Sequence, residues 1–432
     1  MSLSPASRRL GVTVLSAGLA CGLWLGGSWY AAGRIESCLR DFAAKPSSET
    51  GLRVLELQHH AGMLQSSGLI RIQPLVQDSS IRSEDIPTVE LSYQLSNLIL
   101  PGSAARLTWV LRPSGEMDDA LARLFGNHFS IQGDGHLTYQ GAVETVFRVP
   151  EIMMNDDGVR LTVSPSQGHL SAGATSFILG WGVDRFVVRG NGEALELNKV
   201  ALDVDLKDWP QTHGTTSLMM DRISTASGVA EGFRHQTQVN RDGDRVNVTS
   251  SDTIRSISAM GQKYTDLALE LAVNGLDAAS LQRLGTLLSE VGSVQELTAL
   301  EEQQLRQDVR TVLTRGFSIA ISRLSGTVDH GSLSASGKIE LRPAQSASQF
   351  VSLDKWLQAS AEITAKGDIL PADQVQIMVE SGYAQSTPQG IKASVSYANG
   401  ALQANGRTFD GSEIRSALQE ADEMINGFLS NP

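Results

Sequence analysis

Alternation of apolar and polar residues, cut at intervals by glycine-bearing turns, is the feature that most restricts this chain. In "KVALDVDL", Val200, Leu202, Val204 and Leu206 fall on one side and Asp203 and Asp205 on the other. A period of two puts successive side chains on opposite faces of a strand, which suits a sheet with one dry face and one wet face. "GIKASVSYANGALQANG" repeats the pattern with Ile391, Ala393, Val395 and Tyr397, then breaks at Asn399-Gly400. That dipeptide fits a two-residue hairpin turn, whose central residues both need positive φ. Asp242-Gly243 marks a further turn, followed by Val246 and Val248 in alternation. "FSIQGDGHLTY" and "SGTVDHGSLSASGKIEL" read the same way. Composition agrees: among 432 residues there are 41 glycines, with 19% charged and 5% aromatic, a turn-rich β profile. The expected fold is mainly β with a few helices (α+β), with long antiparallel, curved sheets following an N-terminal transmembrane helix.

Helical spacing replaces alternation in four places. Residues 276–291 repeat Leu276, Leu281, Leu284, Leu287 and Leu288. Residues 296–315 are amphipathic, with Glu302 and Arg306 paired one turn apart. Residues 371–384 open on Pro371, tolerated at a helix start because its missing N–H is not needed there. Residues 413–429 line up Ile414, Leu418, Ile425 and Phe428, with Asp410 placed to cap them. Strands followed by helix occur twice, at 52–275 then 276–316 and at 317–350 then 353–384. A body at 52–432 with lobes at about 52–316 and 317–432 is one reading; a single curved sheet with helical plugs is the other.

The N-terminus sets the expected address. Residues 11–33 carry no charge; as a helix at ~1.5 Å per residue they span about 34 Å, slightly more than a bilayer core. Residues 1–10 then form a short cytoplasmic tail and 34–51 a juxtamembrane segment. Trp29 and Tyr30 sit where an interfacial aromatic belt belongs. Ala31-Ala32-Gly33 resembles a cleavage site, but the apolar run before it is too long for an export signal, so the anchor is expected to stay. Gly18, Gly22 and Gly26 share one helix face, a small-residue spacing that lets two anchors approach as a homodimer. The two cysteines, Cys21 and Cys38, lie in or beside this run and give the body no disulfide framework.

Five stretches together carry a family resemblance. They are "GGSWYAAGRIE", "LRVLELQHHAGMLQSSGLIRIQP", the pair "LTRGFSIAISRLS" and "GSLSASGKIELRP", and "GIKASVSYANGALQANGRTFD". In this order they resemble the YdgA family of bacterial inner-membrane proteins, which includes YihF-like members. Within the second stretch, His60, Gly62 and Ser66 of "HAGMLQS" form the core of the likeness. The chain departs from the family at "NLILPGS", where Pro101-Gly102 stand in place of a His-Gly-Pro phrase, so any role of that histidine is not transferred. The resemblance implies a single-pass protein of the bacterial inner membrane, with its C-terminal body in the periplasm and no family active site.

Candidate sites are few. His59 and His60 are adjacent, so on a strand they face opposite sides and do not share a metal. "GNGEAL" lacks the third glycine and the Lys-Ser/Thr ending of nucleotide loops and reads as a hairpin turn. Asp156 and Asp157 read as a turn rather than a calcium loop. No Gly-x-Ser-x-Gly elbow occurs. Leu281, Leu284 and Leu288 form a stripe expected to pack on the protein's own sheet. The net charge of -12 disfavours nucleic acid. The expectation is a non-enzymatic protein without cofactor or metal, acting as an envelope scaffold or partner-binding domain. The alternative is binding or transfer of lipid or another apolar ligand, and a continuous uncovered apolar face would distinguish it.

Overall fold

Alternating segments become strands that pair antiparallel with their neighbours, and the periodic segments become helices at the strand ends. The computed structural model describes residues 52–430 apart from 63, 75–87, 97–102, 115–128, 157, 191, 209–212, 291–296, 330 and 345–351, together with positions 37 and 40. The expected anchor, with Gly18, Gly22, Gly26, Trp29 and Tyr30, lies outside the described residues, as does Pro101-Gly102. Among the described residues no helix is long and apolar enough to cross a membrane. The chain divides into two compact units between Trp181 and Gly182. β15 and β16 pair with each other across residues 316–317.

The first unit contains β1 (Leu52–His60), β2 (Gln65–Pro74), β3 (Thr88–Ser96), β4 (Ala105–Ser114), β5 (Ile131–Leu137) and β6 (Val143–Val149). A short hairpin, β7 (Ile152–Asp156) and β8 (Val159–Val163), precedes β9 (Ser166–Ala172), and β10 (Ser176–Gly190) carries the chain onward. β1 through β6 pair in sequence and β9 then pairs with β6. One cross-strand row runs His59, Gly68, Tyr93, Trp109, Gly133, Phe147, Gly168. The aromatic rings lie over the glycines: a Cβ at Gly68 would strike the Tyr93 ring, one at Gly133 Trp109, and one at Gly168 Phe147. Directly opposed residues share a face, so each glycine gives an aromatic neighbour room to lie flat and seal the sheet. Beside this row, on the same face, Ile70, Leu95, Ala105 and Leu107 cluster with Tyr93, with Leu95 3% exposed and Ala105 fully buried.

The second unit contains β11 (Glu193–Lys207), β12 (His213–Thr225), β13 (Gly228–Asp242), β14 (Arg245–Ala259) and β15 (Gln262–Asp277). After α1 (Ala278–Glu290) and α2 (Ala299–Arg315) come β16 (Phe317–Val328), β17 (Gly331–Leu341), α3 (Leu353–Trp356) and β18 (Leu357–Lys366). The chain ends with α4 (Ala372–Glu380), β19 (Gln385–Thr387), β20 (Gly390–Ala398), β21 (Ala401–Ala404), β22 (Arg407–Phe409) and α5 (Ser412–Ser430). β11 to β18 form a meander that continues through β20, β21 and β22. Asn399 and Gly400 have φ of 50° and 76° between paired Ala398 and Ala401, the expected two-residue turn. The β13–β14 turn is Gly243-Asp244, one residue later than the sequence suggested, because Asp242 is itself paired with Arg245. β18 corrects the helical reading of 353–384: Leu357, Ala359, Ala361, Ile363 and Ala365 alternate with polar residues and pair with β17.

Ion pairs fasten α1 and α2, and hydrogen bonds from Arg310 to the Leu429 carbonyl at 2.9 Å and from the Leu353 N–H to Asp422 at 2.7 Å hold α5. Thr298 and Glu301 close a capping box on α2, and Asp410 accepts the Ser412 N–H at 3.0 Å at the start of α5. Asp308, 1% exposed, takes hydrogen bonds from Arg283 Nε at 2.9 and 3.1 Å and from its Nη2 at 2.5 Å, and one from Gln304 at 3.0 Å. Burial pushes its carboxyl up, but these donors outweigh burial and hold it below the usual range. Asp277 behaves likewise: burial raises it, and Ser280 and Arg315 bring it below normal. Arg245 donates to the carbonyls of Arg315 and Gly316 at 2.9 and 3.0 Å, tying α2 to the start of β16. Arg306 pairs with Glu302, as their spacing predicts, and also lies 5.9 Å over Phe428 of α5.

Candidate functional site

In the second unit the alternation leaves an apolar face that the helices do not cover. Val273, Ile319, Ile339, Ala359 and Tyr397 form one cross-strand row over β15, β16, β17, β18 and β20. Leu271, Ile321, Gly337, Ala361 and Val395 form the next, and Leu269, Leu324, Ala335, Ile363 and Ala393 the third. Ala335, Gly337, Ala359 and Ala361 make a floor of small residues, walled on one side by Ile319, Ile321 and Leu324. Among the described residues no ring lies against Gly337: a Cβ there would meet only the Ser360 carbonyl oxygen at 3.2 Å and Ala361 at 3.6 Å. Leu271, Ile319, Ile321, Leu324, Ile339 and Ile363 are between 37% and 50% exposed. Single exposed apolar residues are ordinary, but a contiguous set on one face marks a binding surface.

Both ends of this face are closed. Leu341, in the row Phe317, Leu341, Leu357, is buried where the Arg342 N–H donates to the Trp356 carbonyl at 2.8 Å. At the other end α4 packs Val375, Met378 and Val379 onto Leu333, Ala365 and Ile391. Beside α4 lies a depression of about 690 Å³, lined by Tyr264, Leu267, Leu324, Val328, Leu333 and Ile369 among others. Tyr397, buried at the floor's edge, donates to Asp354 at 2.7 Å. Burial, and then the Asp354 partner, push its hydroxyl up to about 12, so it is a fixed donor at neutral pH.

Two of the rows change character on β12, β13 and β14. One reads Leu202, Leu218, His235, Asp252, Leu269; the other Val204, Thr216, Thr237, Ser250, Leu271. The His235 Nδ1 lies 2.8 Å from Asp252 Oδ1, and the Thr237 hydroxyl 3.0 Å from His235 Nε2. The connectivity is that of an acid–base–hydroxyl triad. It lacks an oxyanion pocket, because Thr237 sits mid-strand between Thr216 and Ser250 with its backbone committed to the ladder. Sequence reading passed over this cluster. His235 and Asp252 are 17 residues apart, and only the β13–β14 register sets them face to face.

The residues singled out from sequence are elsewhere. His59 joins the covered face of the first unit, with Nδ1 2.8 Å from the Tyr93 hydroxyl. His60 is on the opposite, polar face, in a depression of about 550 Å³ that also includes Gln58, Gln94, Thr108 and Gln132. Asp156 ends β7 and Asp157 lies outside the described residues, while Gly190 and Glu193 flank the β10–β11 turn. Leu281 and Leu284 are half-buried on α1, which packs mainly on α2 rather than on a sheet; the side chain of Leu288 lies outside the described residues. Among the described residues no cluster of three or more His, Cys, Asp or Glu is arranged to hold a metal.

Fold and site define an antiparallel β protein with one open apolar face beside a polar block. The chain belongs to the DUF945 family, bacterial proteins of unknown function, whose family model matches residues 9–370. That range includes β11 to β18; α4 and β20 lie beyond it. The match does not carry the YdgA name, and that finer assignment rests on the sequence motifs alone. No curated protein and no solved structure matches the chain.

Proposed function

We propose that this protein binds an acyl chain or a similar apolar ligand on the open face of β15 to β18. The observation that carries the reading is the set of six contiguous apolar side chains, 37–50% exposed around a floor of alanines and a glycine. From β15 to β20 the face crosses four strand intervals, or ~19 Å at ~4.8 Å per strand. An acyl chain fills half of a ~30 Å hydrocarbon core, about 15 Å, and fits within that width. The reading is non-catalytic. The address belongs to the same proposal: residues 11–33 anchor the chain in the bacterial inner membrane and the body works in the periplasm, where a hydrophobic cargo needs cover. An envelope scaffold that buries the same face against a protein partner is the rival.

The test is lipid analysis of the full chain, extracted from bacterial membranes into nanodiscs, combined with titration of a fluorescent fatty acid. The expected result is saturable binding near one ligand per chain, lost in Ala361→Phe, which fills the floor with a ring. A stoichiometric protein partner, with fatty-acid binding absent from wild type, would overturn the proposal in favour of the scaffold.

A further inference from the structure

We infer that Thr216, Thr237, Ser250 and the His235–Asp252 pair form a headgroup subsite for a zwitterionic aminophospholipid. The inference rests on the acyl-binding reading and extends it from tail to head. The rows that carry the polar block are the rows that carry the floor. Thr237 and Ser250 continue through Leu271 and Ile321 to Gly337 and Ala361. His235 and Asp252 continue through Leu269 and Leu324 to Ala335 and Ile363. From β14 to β18 is four strand intervals, ~19 Å. A head on the block therefore lays its tail, about 15 Å long, across the floor.

The chemistry of the block selects the head. The Thr216 and Ser250 hydroxyls can donate to phosphate oxygens, while the His235 imidazole and the Thr237 hydroxyl are joined to each other and to Asp252 and hold the block in place. Asp252 uses Oδ1 for His235, and Oδ2 remains available to an ammonium group. Both side chains are only about one-third exposed, so charge on this face is partly shielded from water. With 47 acidic and 35 basic residues, the protein's field opposes an anionic head, whereas a phosphoethanolamine carries no net charge. A polar block placed for sheet stability alone would show no preference among heads.

The experiment is calorimetric titration of the full chain with lysophosphatidylethanolamine, lysophosphatidylglycerol and palmitate, with native melting temperature as the folding control. Wild type is expected to bind the ethanolamine lipid at least about tenfold tighter than the glycerol lipid, the size of one charge-assisted hydrogen bond. Asp252→Asn, a near-isosteric change on a solvent-facing residue, removes that preference and leaves palmitate affinity unchanged. His235→Gln weakens both phospholipids and spares palmitate. If the three probes bind wild type equally, or the glycerol lipid binds tightest, the headgroup subsite is wrong while the acyl reading stands. If none binds, the acyl reading fails and takes the subsite with it.

Discussion

The two units are built from the same alternating pattern and end with opposite apolar faces. In the first unit the glycines of the central row lie beneath aromatic rings, at Gly68 with Tyr93, Gly133 with Trp109 and Gly168 with Phe147. Flat rings reach over a neighbouring strand and cover its glycines, and on the same face Leu95 and Ala105 are buried in a cluster with Tyr93. In the second unit the equivalent positions hold isoleucine, leucine and alanine, and Gly337 has no ring above it. Aliphatic side chains stand upright and cover only their own strand. A sheet face is thus closed or left open by which residues stand opposite the glycines, and not by its hydrophobicity alone.

The largest expected separation between the two faces is in core truncation. Leu95→Ala removes a packed side chain and should cost ~2–5 kcal/mol by urea unfolding. Ile339→Ala, on a side chain 50% exposed, should cost less than ~1 kcal/mol, because little area was buried to begin with. Equal losses would show that the second face is covered in solution, and the proposed ligand surface would go with it. Next in size is the glycine pair. A methyl at Gly133 meets the Trp109 indole and should destabilise by ~1–3 kcal/mol. Gly337→Ala asks its neighbours to yield only a few tenths of an ångström, and its melting temperature should stay close to wild type.

Much of this architecture can be read from the residues, and what cannot has a physical cause. The helices at 278–290, 299–315, 372–380 and 412–430 follow apolar spacing and caps that are local, so single-sequence reading finds them within a few residues. The Asn399-Gly400 turn is local in the same sense. β18 was missed although Leu357 to Ala365 alternate plainly, because the short helix before it and α4 after it drew the whole span toward a helical reading. The candidate site was beyond reach for a different reason. Its rows join residues of up to nine strands, and a one-residue slip in any pairing would move a whole strand's apolar side chains to the wet face. Periodicity says that Ile319, Ile339 and Ile363 share dry faces; it does not say that those faces stay uncovered. His235 and Asp252 illustrate the same limit, since each is an unremarkable polar residue until the β13–β14 register joins them.

Acid should separate the units by a smaller margin, acting on the helical end of the second one. Asp277 and Asp308 are buried carboxylates held below their ordinary range by Ser280, Arg315, Arg283 and Gln304. A depressed folded value means that the unfolded chain takes up protons first. Their stabilisation is therefore complete above about pH 4, the ordinary aspartate value, and is lost as pH falls through the depressed folded values. The core of the first unit, formed by Ile70, Tyr93, Leu95, Ala105 and Leu107, contains no carboxylate. Its one titrating group is Tyr93, which burial pushes up to about 12, so that contribution is complete below about pH 10 and is lost only as pH rises through the folded value. Helical circular dichroism should accordingly fall below pH 4 while tryptophan fluorescence from Trp109, hydrogen-bonded to Thr145 at 2.9 Å, holds its folded value. Asp308→Asn should lower stability at neutral pH and flatten the acid step. A simultaneous loss of both signals would mean that the first unit draws its stability from the helical end of the second, and that the two faces cannot be compared as independent structures.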